Sequence, residues 1–210
     1  MRRSATALLV SGLQNDFFDT KGVLAATGSD ISAVQAIVPA VERVLGAARD
    51  AGCLIVHVHE RTLEGGMSDS PAWRAQYELN GWQDTFAAEG TWGEEPLDGF
   101  GPQEDELVVE RYRPGAIYDT RASVLLRSAG VDRVVVAGAE THRTILATAI
   151  QAACLDYEVV VPEGAVASAD PVRHAAAIAV LRSWAHVVDV DGVVEELARL
   201  PRSTHEILEG

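Results

Sequence analysis

Short apolar runs alternate with longer stretches of helical periodicity along most of the 210 residues. The runs have the length and β-branched content of buried strands, and the stretches between them repeat apolar residues at spacings of three and four. Strands separated by helices need crossover connections, which favour parallel strands covered by helices on both faces. We therefore predict an α/β fold with a mostly parallel sheet, with strands at 6–10, 54–59, 106–110, 133–137, 158–161 and 187–190, and helices at 31–48, 122–129, 141–155, 171–185 and 193–200.

Three segments need separate treatment. Pro39 lies inside the first long helical stretch and predicts a kink or a later start, and Gly52 ends that helix. Residues 61–104 are polar and rich in glycine, proline and tryptophan, and a connection of that length is more often functional than idle. Residues 201–210 form a polar tail, so we predict one domain over 1–200.

Charge and cysteine content exclude several kinds of partner. The chain has 17 Lys and Arg against 31 Asp and Glu, a net charge of −14, which disfavours binding to nucleic acid or to anionic membranes. Two cysteines cannot build a disulfide framework, which indicates a reducing, cytoplasmic location. The apolar stretch 5–10 is too short for a signal peptide, and we expect no membrane span.

The carboxyl ends of the predicted strands are the expected place for a site. Loops gather at that edge of a parallel sheet and bring their side chains together. The segments to search are 11–18, 57–61, 111–120 and 138–144.

Five segments, in order and with matching gaps, resemble motifs of the isochorismatase-like cysteine hydrolases. No single motif is decisive, but together they span roughly residues 5–190. They are ALLVSGLQNDFF at 7–18, EGTWG at 89–93, VVERYR with GAIYDT at 108–120, VVAGAETHRT at 135–144 and VVVPEGA at 159–165.

The resemblance implies a three-layer αβα fold with a six-stranded parallel sheet, in a homo-oligomer, a dimer or a tetramer. It also implies hydrolysis of amides, ureas or related C–N bonds, or of a vinyl ether. The usual machinery is an aspartate that takes a proton, a lysine, and a cysteine thiolate at a helix N-terminus. Backbone N–H groups beside a cis peptide hold the oxyanion.

All three catalytic positions implied by the resemblance differ in this chain. The aspartate position is Gly12, the lysine position is Arg111 and the cysteine position is Thr144. The single lysine, Lys21, follows the first strand in a loop. The two cysteines, Cys53 and Cys154, are expected to be core residues rather than nucleophiles.

The substitutions change the chemistry that this site can perform. A threonine nucleophile needs a base, which Gly12 does not supply. Arg111 stays protonated, so it cannot shuttle a proton, but it can hold a carboxylate bidentately. Arg113 and Arg143 would add positive charge. We therefore predict a small-molecule ligand, one that can carry a carboxylate.

Three side chains are candidate replacements for the missing base. Asp16 and Glu140 are carboxylates in the relevant loops, and His142 is the imidazole nearest to Thr144. The alternative for each is structural: a turn residue, a helix-capping glutamate and a surface histidine. We predict Thr144, Arg111 and Glu140 as catalytic, and as substrate-binding residues Gly12, Gln14, Asp16, Trp92, Tyr118, Ala139, His142 and Arg143.

Histidines and tryptophans supply the remaining candidates. His57 and His59 point to one face of a strand, in the region where nicotinamidases of this fold carry an Asp-x-His metal site. Without that aspartate or a visible third ligand, we expect packing or substrate contact, and we predict no metal and no cofactor. Trp73, Trp82 and Trp92 either line a lid over a flat ligand or anchor their segment.

Three functions therefore stay open. The first is a hydrolase of altered mechanism. The second is a pseudoenzyme that binds a small molecule or a partner protein. The third is a biosynthetic isomerase, lyase or cyclase in which Arg111 acts as an electrostatic clamp.

Overall fold

The computed structural model describes residues 5–82 and 85–200, so the predicted tail at 201–210 lies outside the described residues. Within this part, seven parallel strands form one sheet in the order β3-β2-β1-β4-β5-β7, with β6 beside β4. The sheet exceeds the implied six strands by β6, which has only two residues. The strands are β1 Ala5–Ser11, β2 Leu54–Glu60, β3 Leu107–Arg111, β4 Val131–Ala139, β5 Glu158–Pro162, β6 Val166–Ala167 and β7 His186–Val188.

Helices cover both faces of the sheet and confirm the α/β architecture. They are α1 Asn15–Phe18, α2 Val23–Ala26, α3 Ser32–Ala36, α4 Val38–Asp50, α5 Pro71–Asn80, α6 Ala122–Ser128, α7 Leu146–Ala153, α8 Pro171–Leu181 and α9 Val190–Ala198. A π-helical turn, Thr141–Ile145, leads into α7. In the described part of the chain no helix has the length and apolar character needed to cross a membrane.

Alternation along the strands divides the core into two layers. Leu8 and Val10 of β1 pack with α4 and α9 on one face, and Ala7 and Leu9 pack with α6, α7 and α8 on the other. We call these the α4 face and the α7 face. Because odd and even residues of a strand point to opposite layers, the parity of a residue decides on which face of the sheet its side chain lies.

Two helical segments differ from the sequence expectation. The predicted helix 31–48 is divided at Ile37, because Pro39 lies in the first turn of α4. The segment 61–104, expected as a loop, contains α5. Ser70 caps this helix by accepting a hydrogen bond from the Trp73 N–H at 3.2 Å, and Gly81 ends it with φ 68°.

Candidate functional site

A buried chain of three side chains lies at the carboxyl end of the sheet, on the α7 face. Arg111 Nη2 donates to Glu60 Oε2 and to Thr144 Oγ1, each at 2.8 Å. Glu60 and Arg111 end β2 and β3 and are register partners, so their side chains emerge side by side. Arg111 is 2% exposed, Thr144 3% and Glu60 6%. The structure thus brings together a carboxylate, a guanidinium and a hydroxyl.

The carboxylate in this chain was not among the predicted site residues. We expected Asp16, Glu140 or His142 to replace the base missing at Gly12, whereas the carboxylate beside Arg111 is Glu60, which comes from β2 instead of β1. Part of the signal was available in the sequence, because Glu60 follows the predicted strand 54–59 and lies in the searched segment 57–61. Val58 and Glu60 have the same parity on β2 as Val109 and Arg111 on β3, and both pairs end at the loop-bearing edge.

Gln14, predicted to bind substrate, is fully buried and holds the end of β2. Its Nε2 donates to the carbonyls of Glu60 and Glu94 at 2.9 and 2.8 Å, and its Oε1 accepts from the Glu60 N–H at 2.8 Å. These bonds fix the backbone from which the Glu60 carboxylate projects. Gln14 is therefore a positioning residue for Glu60.

Gly12 makes a close backbone approach to the turn after β4. Its φ is +71°, and a Cβ at this position would lie 2.3 Å from the Ala139 carbonyl oxygen. Ala139 is joined to Glu140 by a cis peptide bond. A side chain at Gly12 would need the backbone to move, so an aspartate cannot simply be returned to this position.

Thr144 lies in the π-helical turn with its hydroxyl accepting from Arg111. Among the residues that the structure describes, no carboxylate or imidazole is hydrogen-bonded to this hydroxyl. Burial lowers the pKa of the Arg111 guanidinium and the nearby Glu60 raises it, with a net lowering. The guanidinium nevertheless stays charged and takes no proton from Thr144.

Glu140 is the second buried acid of the region. Its Oε1 accepts from the Ala169 N–H at 3.1 Å, and its carbonyl accepts from the N–H groups of Arg143, Thr144 and Ile145. Burial raises the pKa of the Glu140 carboxyl, the Ala169 hydrogen bond opposes that shift, and Glu60 adds to it. A buried acid that keeps its proton to higher pH is suited to proton transfer.

The other predicted binding residues are spread over different surroundings. Both carboxylate oxygens of Asp16 accept backbone hydrogen bonds, from Val23 at 3.1 Å and Ala87 at 2.7 Å, in agreement with the structural alternative. Trp92 is 45% exposed, and its carbonyl accepts from Asn15 Nδ2 at 2.9 Å. Lys21 is exposed in the turn between α1 and α2.

Two separate cavities receive the remaining candidates. His142 and Arg143 line one of about 530 Å³, between α5 and the outer face of α7. Tyr118, which is exposed, lines another of about 570 Å³ beside α6. Arg143 and Arg113 stack on Trp82 and Trp73, with guanidinium carbons 4.3 and 4.8 Å from the ring centroids.

His57 belongs to a buried ion cluster on the α4 face. Its Nε2 lies 2.8 Å from Glu106 Oε2, and Arg49 contacts the same carboxylate at 2.7 and 3.0 Å. Burial lowers the pKa of His57, and burial together with His57 lowers that of His59 to about 4. Within residues 5–82 and 85–200, no group of three or more His, Cys, Asp or Glu side chains could hold a metal ion.

The cysteines differ from each other. Cys53 is partly buried, and burial raises the pKa of its thiol to about 11, which agrees with a packing role. The expectation that Cys154 is a core residue is wrong, because it follows the last turn of α7 on the exposed side, where it lines the cavity of Tyr118.

Comparisons with known proteins agree with the fold. Ureidoacrylate amidohydrolase RutB of Stutzerimonas stutzeri (strain A1501) is 28% identical over 216 residues, covering 96% of this chain and 86% of the relative. An isochorismatase family protein from Desulfovibrio vulgaris subsp. vulgaris str. Hildenborough superposes with a TM-score of 0.80 at 27% identity, covering 94% of this chain and all of that one. N-carbamoylsarcosine amidase from Thermoplasma acidophilum gives 0.71 at 25% identity, covering 89% and 97%.

The isochorismatase domain family matches residues 6–192, which include all of the sheet except Ala5 and the whole of the buried site. The chain belongs to the isochorismatase family.

Proposed function

We propose that the protein hydrolyses a small, carboxylate-bearing molecule at an amide, ureido or related C–N bond, by acid–base chemistry and without a covalent intermediate. The observation that best supports this proposal is the hydrogen bonding of the Thr144 hydroxyl. Its hydroxyl accepts from a charged guanidinium, and in the described part of the chain no base is hydrogen-bonded to it. A threonine in that setting is a poor nucleophile.

Arg111 supplies fixed positive charge in this proposal. Glu60 and Thr144 both accept from its Nη2, the Arg113 carbonyl accepts from its Nη1 at 3.2 Å, and its Nε has no hydrogen-bond partner among the described residues. A buried, preorganised cation stabilises negative charge that develops on a substrate carbonyl oxygen. The unpartnered N–H also favours a substrate with an additional acceptor, such as a carboxylate.

Glu140 supplies the proton. In its protonated form it gives that proton to the leaving nitrogen as the C–N bond breaks, and a water molecule forms the new C–O bond. The proton that this water releases returns to the Glu140 carboxylate. The raised pKa of the buried carboxyl supports this role, because the acid must be partly protonated at working pH.

Two relatives carry the names ureidoacrylate amidohydrolase and N-carbamoylsarcosine amidase, and these names guide the choice of substrates. The test is turnover of ureidoacrylate, N-carbamoylsarcosine and a carboxylate-free amide. We expect the carboxylate-bearing compounds to react faster, and Glu140→Gln to lower kcat/KM by about 10² to 10⁴.

The matched control is Glu195→Gln, which removes an exposed carboxylate on α9 and should leave kcat/KM unchanged. Full activity of Glu140→Gln contradicts the proposed proton transfer. Equal rates on neutral and carboxylate-bearing amides contradict the substrate class.

A pseudoenzyme is the second candidate, and one observation favours it. Glu60, Arg111 and Thr144 pair with each other in a buried chain, and Gly12 leaves β1 without the family's acid. Thermal shifts distinguish the two functions. A Tm that rises with the carboxylate-bearing compounds, with no turnover of any of them, establishes binding in place of hydrolysis.

A further inference from the structure

The outer side of α6 and the end of α7 carry exposed apolar side chains around a concave surface. Tyr118 is 72% exposed, Val124 57% and Leu155 46%, and all three line the cavity of about 570 Å³ beside α6. Exposed apolar side chains that lie together indicate a binding surface for another molecule, whereas scattered ones do not. We call the surface formed by Tyr118, Asp119, Val124, Arg127 and Leu155 the α6 surface.

Two opposite charges on the α6 surface have no partner in the described part of the chain. Asp119 lies in the loop just before α6, and Arg127 lies in the last turn of that helix. Neither side chain makes a hydrogen bond or an ion pair with any other described residue. Arg121, which lies between them, donates to the Val108 carbonyl at 2.9 Å. The two ends of one short helix therefore present an anion and a cation that are available to a partner.

The backbone under the α6 surface is held in place by side-chain hydrogen bonds. Gln151 Oε1, on α7, accepts from the N–H groups of Ile117 and Tyr118, each at 3.0 Å. Thr120 Oγ1 accepts from the Ala122 N–H at 3.1 Å, at the start of α6. Because these bonds already order the loop that carries Tyr118, binding through this surface costs little conformational entropy.

The outer face of α8 also has an exposed apolar side chain, Val172, but its charged neighbours are already paired. Arg173 Nε lies 3.3 Å from Asp170 Oδ2. Arg182 Nη2 lies 2.7 Å from Glu163 Oε2. The α8 face therefore has less charge complementarity to offer a partner than the α6 surface has, and it serves as a control.

We propose that two copies of this chain bind each other through the α6 surface, antiparallel across a two-fold axis. A two-fold axis brings residue i of one copy to residue j of the other, and residue j to residue i. Asp119 then pairs with Arg127 of the partner subunit, the reciprocal pair forms at the other end, and the apolar side chains pack between them. A partner with charge of one sign satisfies only one end. Because each copy has a net charge of −14 and repels the other at long range, association needs this local pairing.

Sedimentation velocity of the full chain tests the dimer and its charge pairs. We expect a wild-type dimer at about 10 μM. Asp119→Arg or Arg127→Glu alone places like charges opposite each other twice in every dimer, so each should weaken association at least about 100-fold. An equimolar mixture of the two variants should dimerise again, because every contact between them joins opposite charges. A wild type that is monomeric at about 100 μM overturns the proposal, as does a dimer that persists in both variants or a mixture that stays monomeric.

Two exposed valines near the starts of their helices test the apolar part of the α6 surface. Val124→Asp buries a charge in the proposed interface and should weaken association at least about tenfold. Val172→Asp is the matched control on α8 and should leave the dimer unchanged. Equal losses, or a loss in Val172→Asp alone, overturn the location. This pair decides the question if Asp119→Arg does not fold, since Asp119 has a φ of 56°.

Cys154 gives an independent readout, because its side chain is exposed and lines the cavity beside α6. Its rate of reaction with N-ethylmaleimide, followed by mass spectrometry, should fall as the protein concentration rises through the dissociation constant. A rate that stays constant while the dimer forms overturns the location. Glu140→Gln should dimerise like the wild type, so that a failure of the proposed hydrolysis and a failure of this surface are distinguishable.

Discussion

The two faces of the sheet each carry a carboxylate–arginine pair, and the pairs are built differently. On the α4 face, Arg49 donates two parallel hydrogen bonds to the Glu106 carboxylate. The Gln103 N–H and His57 Nε2 are hydrogen-bonded to Oε2 of the same carboxylate. On the α7 face, Arg111 contacts Glu60 through one nitrogen that it shares with Thr144.

The difference lies in solvent access and in unused hydrogen-bonding capacity. The Arg49 side chain is 26% exposed, whereas the Arg111 side chain is 2% exposed and its Nε is unpartnered among the described residues. A saturated pair with an exposed arginine stabilises the fold. In the proposed function, the fully buried cation of Arg111 keeps a donor for a ligand, at a cost in stability.

The largest expected effect is on the free energy of unfolding, and it differs between the two carboxylates. Glu60→Gln leaves Arg111 buried without a counter-ion and should lower the free energy of unfolding by about 3 to 5 kcal/mol. Glu106→Gln should cost about 1 to 2 kcal/mol, because the exposed Arg49 can regain water. Urea unfolding of both variants measures the difference, and equal losses would remove the distinction between the faces.

A pair of glycines extends the comparison to the backbone. Gly12→Ala places a Cβ 2.3 Å from the Ala139 carbonyl at a φ of +71°, and should cost about 3 kcal/mol. Gly28→Ala has a similar φ, +84°, with no atom within 4 Å, and should cost about 1 kcal/mol. Thermal unfolding reports both. A Gly12→Ala protein as stable as Gly28→Ala contradicts the close approach at the site.

The contributions of Glu106 and Glu140 to stability should change with pH in opposite directions. Hydrogen bonds from Arg49, Gln103 and His57 outweigh burial and lower the pKa of Glu106 to about 2. Its contribution to stability is present above the ordinary value of 4.5 and is lost as pH falls toward 2. The pKa of Glu140 is raised, so its contribution is present below 4.5 and is lost as pH rises through the folded value.

Unfolding of the wild type, Glu106→Gln and Glu140→Gln across pH 3 to 8 measures these contributions. We expect the difference in unfolding free energy between the wild type and Glu106→Gln to grow with pH, and that between the wild type and Glu140→Gln to shrink. A Glu140→Gln difference that grows with pH, as at Glu106, would show that folding lowers the pKa of Glu140 and would contradict the effect of its burial.

The strands were predictable because each is a short apolar run, as β4 shows: the expected 133–137 lies inside Val131–Ala139. Helix α5 was missed because none of its residues is buried, so its apolar pattern is weak, although Ser70-Pro71 and Gly81 mark its ends. Cys154 was assigned to the core from its residue type alone. In the structure it directly follows the end of α7 and is exposed.

The candidate site was predictable as a location and only partly as a set of residues. Arg111 and Thr144 follow from the motif order, and both lie in the buried chain. Glu60 required the register of β2 against β3, because its side chain meets Arg111 only when the two strands end together. The separation of Tyr118 from Arg143 into two cavities depends on helix packing, which no local motif encodes.

The kcat/KM of Thr144→Val, on whichever C–N substrate the wild type turns over, tests the central claim most directly. Valine keeps the shape of threonine and removes the hydroxyl, while Glu60 still holds Arg111. If Thr144 only helps to position Arg111, kcat/KM should fall by about tenfold or less. A loss of about 10⁴ or more, equal to that of removing a nucleophile, would contradict the claim.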